Sequence, residues 1–324
     1  SSLYLEPGLL PYTTHGIIIE PFPQLRKTMC SVDTIIRTSN LTKHYGKRLG
    51  IENVNLEVHG GEIFGYLGPN GSGKTTTIRT LLDFIRPTSG EAKIFGLDTR
   101  AGSVDIHRRV GYLAGDLELY GNMTGEDLLM YIGNLRGGLD WHYVQTLATR
   151  FDCDLSRRIK TLSHGNKRKI GLIQAFMNKP ELVILDEPTN GLDPLMQHEF
   201  YHLLEETKKE VRTVFLSSHI LPEVEKVCDR VGIIRQGQLV TVETIGALKS
   251  KTMRKLEIHF ARIVPADSFA GISGVKDVSV QGDLLTCNVT GSLDALVKAA
   301  AKFEVVDIVR HEASLEEIFM SFYE

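Results

Sequence analysis

The nine residues GPNGSGKTT, Gly68–Thr76, restrict the fold of this chain more than any other stretch. They fit the pattern G-x-x-x-x-G-K-[ST]. Before them lies the short apolar run EIFGYLG, Glu62–Gly68; after them KTTTIRTLLDFI, Lys74–Ile85, sets Ile78, Leu81, Leu82 and Ile85 on one helical face. The order predicted is therefore buried strand, glycine loop, helix. Gly71 and Gly73 let the backbone curl until its N–H groups point inward at phosphate oxygens. The helix that follows adds its positive end. Lys74 can reach β- and γ-phosphates, and the Thr75 hydroxyl is a ligand for Mg²⁺. Gly68, Asn70 and Ser72 complete the loop, and Thr76 faces the α-phosphate region. A purely structural glycine loop is the competing reading, and it does not require the strand before or the helix after.

Two further apolar runs end in chemistry. ELVILDEP, Glu181–Pro188, reads as a strand buried on both faces that delivers two carboxylates at its carboxyl end, where ligands bind in open α/β sheets. Asp186 is placed to hold Mg²⁺, and Glu187 to orient or deprotonate an attacking water. Without the loop upstream, solvated acids at a strand end would be the better reading. RTVFLSSH, Arg212–His219, puts His219 just past another buried strand. A lone histidine there is ordinarily a satisfied hydrogen-bonder. Beside a phosphate loop it is a candidate contact to a γ-phosphate.

Strand-like and helix-like segments alternate from Ile35 to about Val240, which argues for a mostly parallel sheet in an α/β fold. LMQHEFYHLLEE, between the last two runs, carries Met196, Phe200 and Leu203 in helical register. Residues 116–165 differ in texture, rich in Gly, Tyr and Leu, and read as an inserted subdomain of short helices. From about Lys249 the character changes again. KLEIHFARI, VKDVSVQGDLLTCNV and FEVVDIVRH read as strands; SLDALVKAAAKF and SLEEIFMSFY read as helices with a serine at the cap. The expected divisions are a leader at 1–28, a main domain at 29–248 and a small α+β domain at 249–324. Four of the eleven prolines fall in the leader, which is expected to be disordered, either an artificial leader or an over-extended start rather than a docking arm.

Composition narrows the class. A net charge of -3 gives no global pull toward nucleic acid or anionic membrane. The four cysteines are scattered with no metal or redox spacing, so a reduced compartment is the default. No apolar run is long enough to span a bilayer.

The stretch LSHGNKRKI, Leu162–Ile170, reads alone as a helix start. Ser163 is the N-cap, and Lys167, Arg168 and Lys169 form a solvated basic face. Taken in order, however, Gly68–Thr76, LSHGN, LVILDEPTNGLD and His219 resemble the nucleotide-binding subunit of ATP-binding cassette transporters, over about Ile35 to Val240. The resemblance implies a P-loop NTPase core that binds ATP and Mg²⁺ and hydrolyses ATP. It implies that Leu162, Ser163, His164, Gly165 and Asn166 cap the γ-phosphate held by a second subunit, in a head-to-tail dimer of identical or homologous copies. Asp193, in GLDP, resembles the loop through which the two subunits sense each other. Tyr45, in KHYGKR, resembles the aromatic that stacks on adenine; a core tyrosine on an early strand is the alternative.

Two departures stand out. His164 and Asn166 replace the family's Gly and Gln, but Ser163 and Gly165 remain. More consequentially, Gly115 in GYLAGD occupies the place of a glutamine that bridges Mg²⁺, water and the membrane partner. Asp116, next along, is the candidate metal ligand in its stead, although an ionised aspartate donates no hydrogen bond. The C-terminal domain resembles the small tail of exporter-type ATPase subunits. The resemblance implies an ATPase subunit at the cytoplasmic face of the membrane, driving a separate permease for export, with no nucleic-acid partner. A soluble cassette ATPase acting on nucleic acid or ribosomes is the alternative, disfavoured by the lack of a second cassette or a long coiled-coil insertion. A small-molecule kinase with a P-loop would leave LSHGN without a purpose.

Overall fold

The computed structural model describes residues 34–251, 254–289 and 292–311. The leader and the SLEEIFMSFY segment lie outside the described residues. In chain order the elements are β1 (Thr34–Tyr45), β2 (Arg48–His59), β3 (Ile63–Leu67), α1 (Lys74–Leu81), β4 (Ser89–Ile94), β5 (Leu97–Asp98), α2 (Ser103–Arg109), β6 (Val110–Leu113), α3 (Gly125–Leu135) and α4 (Trp141–Arg150). They continue with α5 (His164–Phe176), β7 (Leu182–Asp186), α6 (Pro194–Lys209), β8 (Thr213–Ser218), α7 (Leu221–Val227), β9 (Arg230–Arg235), β10 (Gln238–Thr244) and α8 (Ile245–Lys251). After these come β11 (Arg254–Phe260), β12 (Val275–Gln281), β13 (Leu284–Val289), α9 (Asp294–Ala300) and β14 (Val305–His311).

A six-stranded sheet in the order β10-β9-β3-β8-β7-β6 carries the site. Its inner strands are parallel, and only β10 pairs antiparallel, with β9. The inner strands are buried on both faces, and alternate residues serve two different cores. Ile63, Leu67, Val183, Leu185, Val214 and Leu216 join the core formed with helices α3 to α6. Phe64, Tyr66, Leu182, Ile184 and Phe215 face the other way, toward Ile78 and Leu81 of α1. The strand order brings the carboxyl ends of β3, β8 and β7 side by side. Those ends lead into the glycine loop, His219 and the Asp186–Glu187 pair.

A second sheet, β2-β1-β4-β5, is antiparallel and closes over α1. The sequence reading of one mostly parallel sheet missed it. Its signals were the period-2 alternation of Val54, Leu56 and Val58, all buried, and the turn at Gly46, which takes φ 60°. The helix after the loop is shorter than its apolar pattern suggested. It stops at Leu81 because Asp83 turns left-handed at φ 55°, so Ile85 lies beyond it and does not share its face.

Residues 116–165 contain the short helices α3 and α4. Thr124 and Asp127 form a reciprocal capping box at the start of α3. Residues 254–289 and 292–311 form a four-stranded antiparallel sheet, β12-β13-β11-β14, with α9. Leu256, Ile258, Phe260, Phe269, Leu285 and Leu296 belong to its own apolar cluster. The cap of α9 is Leu293 rather than the expected serine, although the Ser292 hydroxyl still accepts from the Asp294 N–H at 3.2 Å.

Candidate active site

The loop has the backbone its glycines predict. Gly71 sits at φ 79° and Gly73 at φ 112°, both in the left-handed region. At Gly73 an added Cβ would also come within 2.8 Å of Ile51 Cγ2, so a side chain is excluded there twice over. Gly73 is the N-cap of α1, which leaves the first N–H groups of the helix without a side-chain partner and facing the loop. A cleft of about 550 Å³ opens here, lined by Tyr45, Arg48, Gly50, Asn70, Gly71, Gly73 to Thr76, Arg79 and Glu187. Tyr45 is 46% exposed at the end of β1, so the core-tyrosine alternative is not what the structure shows. Gly50 gives its ring room, since a Cβ there would come within 2.9 Å of Tyr45 Cε2. Arg48, Gly50 and Arg79 carry no motif signal, and sequence reasoning missed them.

Three contacts tie the strand ends together. Lys74 is buried, and its Nζ donates to the Gly68 carbonyl at 2.6 Å and the Pro69 carbonyl at 3.1 Å. It also lies 3.1 Å from Glu187 Oε1, an ion-pair contact rather than an aligned hydrogen bond. The Thr75 hydroxyl donates to Asp186 Oδ2 at 2.8 Å. His219 Nδ1 and Glu187 Oε2 are 2.7 Å apart. The sequence-predicted Lys74, Thr75, Asp186, Glu187 and His219 therefore meet in one place.

Asp186 is fully buried, and the Ser217 hydroxyl donates to its other oxygen at 2.5 Å. A buried carboxylate held by two neutral hydroxyls, with Thr75 oxygen beside it, is a hard-oxygen pair that suits Mg²⁺. Ser217 also accepts from the Glu187 N–H at 3.1 Å. Glu187 needs such support because its φ is 50°, a conformation that costs a non-glycine residue on the order of 1–3 kcal/mol. Ser217 was readable in FLSSH as a buried polar residue at a strand end, but nothing in the sequence says which carboxylate it serves.

Arg168 is the largest departure from the sequence reading. The expected solvated face is wrong for two of its three members: Arg168 is 0% exposed and Lys169 is also buried, leaving only Lys167 half-buried. The reason is that α5 is enclosed along most of its length by the helical region and the sheet. The Arg168 guanidinium donates to the carbonyls of Ala114 at 2.6 Å, Gly115 at 3.0 Å, Asp186 at 2.6 Å and Pro188 at 3.3 Å, and to that of Glu187. Burial pulls its pKa down, and the carboxylates of Asp186 and Glu187 oppose that shift. Tyr112, on the strand before Gly115, is pushed up to about 12 by burial and by the Asp186 charge.

The remaining predicted residues stand apart from the cleft. None of Leu162 to Asn166 lines it. Ser163 caps α5, accepting from the Asn166 N–H at 3.3 Å. His164 and Gly165 pack on Gly191, with no room for a Cβ at Gly165, which would meet the Gly191 carbonyl oxygen at 2.7 Å. Asp193 caps α6 through the Met196 N–H at 3.0 Å. Asp116 is exposed and lies close enough to Arg168 and Tyr112 only to be felt electrostatically.

Residues 51–190 match the sequence profile of the ABC transporter family. The bacitracin transport ATP-binding protein BcrA of Bacillus licheniformis is 37% identical over 233 residues, 71% of this chain and 76% of that protein. The linearmycin resistance ATP-binding protein LnrL of Bacillus subtilis is 28% identical over 303 residues, 89% of this chain and 97% of that one. Among solved structures, an ATP-binding subunit of an ABC transporter superposes with TM-score 0.62 at 29% identity, covering 67% of this chain and 92% of that one. A dimeric bacterial ABC cassette shares the fold, with TM-score 0.60 at 21% identity over 65% of this chain and 98% of that chain. A phosphate loop, paired carboxylates and histidine gathered at adjoining strand ends agree with these relationships, and the chain belongs to the ATP-binding cassette transporter family as one of its ATPases.

Proposed function

We propose that this chain is the ATP-hydrolysing subunit of an exporter whose permease is a separate chain, and that two copies or homologues act as a head-to-tail dimer. The observation that carries the reading is the convergence of Lys74, Thr75, Asp186, Glu187 and His219 within hydrogen-bond or ion-pair distance. ATP enters with its adenine on Tyr45 and its phosphates on the N–H groups of residues 70–76. Lys74 then exchanges its loop carbonyls for phosphate oxygens. Thr75 and Asp186 would hold Mg²⁺, which supplies positive charge to the phosphate oxygens. Glu187 accepts the proton of the water whose oxygen forms the new bond to the γ-phosphorus as the bond to ADP breaks. His219 fixes the Glu187 carboxylate and faces the departing phosphate. Ser163 and Gly165 at the start of α5 face the ATP of the partner subunit, and Asp193 lies beside that interface.

Export is favoured by the named roles of the relatives, which are bacitracin transport and linearmycin resistance. Among the described residues no helix is long and apolar enough to cross a membrane, so the membrane-bound part would come from the permease, with this chain at the cytoplasmic face. A docking place is available where α3 meets the core. Phe84, 54% exposed, lines a small cleft with His107, Tyr112, Ile132 and Arg136, and Tyr131 and Leu135, on helix α3 with Ile132, are 50% and 71% exposed. Arg136 donates to the Val110 carbonyl at 3.0 Å and so links this place to the strand before Gly115. Residues 29–248 would be the cassette and 249–324 an accessory domain. The test is affinity purification of the chain from cells that express the neighbouring genes. A polytopic membrane protein should come with it and raise its Mg²⁺-dependent ATPase rate. Stimulation by ribosomes or nucleic acid, with no membrane protein retained, would replace the reading.

A further inference from the structure

We propose that Arg168 is a positioning residue for hydrolysis, joining the Ala114–Gly115 loop to the strand end that carries Asp186 and Glu187. The inference rests on the site proposed above and goes beyond it. An arginine has five N–H donors, and here all five reach main-chain carbonyls on two separate segments, 114–115 and 186–188. None goes to a carboxylate. A guanidinium that is 0% exposed would be a costly way to fill space, so its value lies in the two segments it holds together.

Both segments need holding. The Glu187 main chain is left-handed at φ 50°, and Arg168 takes its carbonyl while Ser217 takes its N–H. On the other side, Gly115 lies so close to Asp186 that an added Cβ would come within 3.0 Å of Oδ2. The loop therefore sits against the carboxylate with no side chain of its own to make a bond. Arg168 supplies the connection through the carbonyls of Ala114 and Gly115. It also lies on α5, little more than a turn from the Ser163 cap. A displacement of that helix would be passed directly to the Glu187 main chain.

The test uses the full chain with Arg168→Gln and Arg168→Lys. Gln has fewer donors and no charge; Lys keeps the charge but lacks the planar fork that spans two segments. Mg-ATP turnover, KM and the affinity for a non-hydrolysable ATP analogue are measured for each variant that melts cooperatively. The expected result is a kcat at least about tenfold lower in both, with KM and analogue affinity within about threefold of wild type, and Lys less impaired than Gln. A folded variant with kcat within about threefold of wild type would overturn the proposal. So would a loss of analogue affinity as large as the loss of kcat, because Arg168 would then only shape the cleft. Should Gln fail to fold, the Lys variant decides by the same criteria. Failure of the underlying site looks different: Glu187→Gln would then retain wild-type turnover.

Discussion

The glycine loop at Gly68–Thr76 and the stretch at Leu162–Asn166 are both motif-bearing helix starts, yet the structure treats them differently. The first is surrounded by partners from its own chain: Lys74 contacts Glu187, and Thr75 contacts Asp186. The second has an N-cap bond and a close approach to Gly191, and it lines no part of the nucleotide cleft. On the proposed reading, the first region holds nucleotide with groups of its own chain, and the second completes the nucleotide site of a partner chain. Substitutions in the first should weaken nucleotide binding by an isolated chain; substitutions in the second should affect nucleotide only in an assembled pair.

The largest effect expected is from Glu187→Gln. Losing the proton acceptor should lower kcat at least about 100-fold, roughly 2.7 kcal/mol of barrier, with ATP affinity within a few-fold in a filter or fluorescence binding assay. Near-normal turnover would remove Glu187 from its role. Lys74→Ala comes next. Nucleotide Kd in the isolated chain should rise at least about tenfold, or ~1.4 kcal/mol, by isothermal titration. Affinity equal to wild type would mean that the loop N–H groups bind phosphate without the cation.

Ser217→Ala probes the support beneath the first region. It removes the donor to buried Asp186 and an acceptor for the Glu187 N–H, so urea unfolding without nucleotide should show a loss of about 1–2 kcal/mol. An unchanged midpoint would show that Asp186 finds another donor. Ser163→Ala should have the smallest effect on an isolated chain. The 3.3 Å cap bond is long, so the cost should be about 0.5–1 kcal/mol of stability, with no change in nucleotide affinity at monomer concentrations. A tenfold affinity loss there would put Ser163 in its own chain's site and erase the contrast.

The same contrast marks what was legible in the sequence. The strand–loop–helix order, the Asp186–Glu187 pair and His219 could be read because each follows an apolar run that only a buried strand explains. The second sheet was harder, since the hairpin of β1 and β2 shows itself only in the turn at Gly46 and the short alternation of Val54, Leu56 and Val58. Arg168 could not be read at all. In sequence it is the middle of three basic residues, and only the packing of α5 between the helical region and the sheet buries it. Ser217 acts through Asp186, far away in the chain, and no local pattern records such a pairing. The SLEEIFMSFY helix and the leader stand as sequence expectations outside the described residues.

The central claim is that Ser163 completes the nucleotide site of another copy, and mixing two damaged chains tests it most directly. One carries Lys74→Ala and the other Ser163→Arg, both with Glu187→Gln so that bound ATP is retained. Each alone pairs into dimers with two defective sites. In the mixed dimer both lesions fall on one site, and the other has an intact Lys74 from one chain and an intact Ser163 from its partner. With mixed dimers verified by crosslinking, the account predicts recovery of about one occluded ATP per mixed dimer, set by the stoichiometry of one intact site. No recovery in verified mixed dimers, or normal occlusion by the Ser163→Arg chain alone, would contradict it and leave Leu162–Asn166 as a capped helix start.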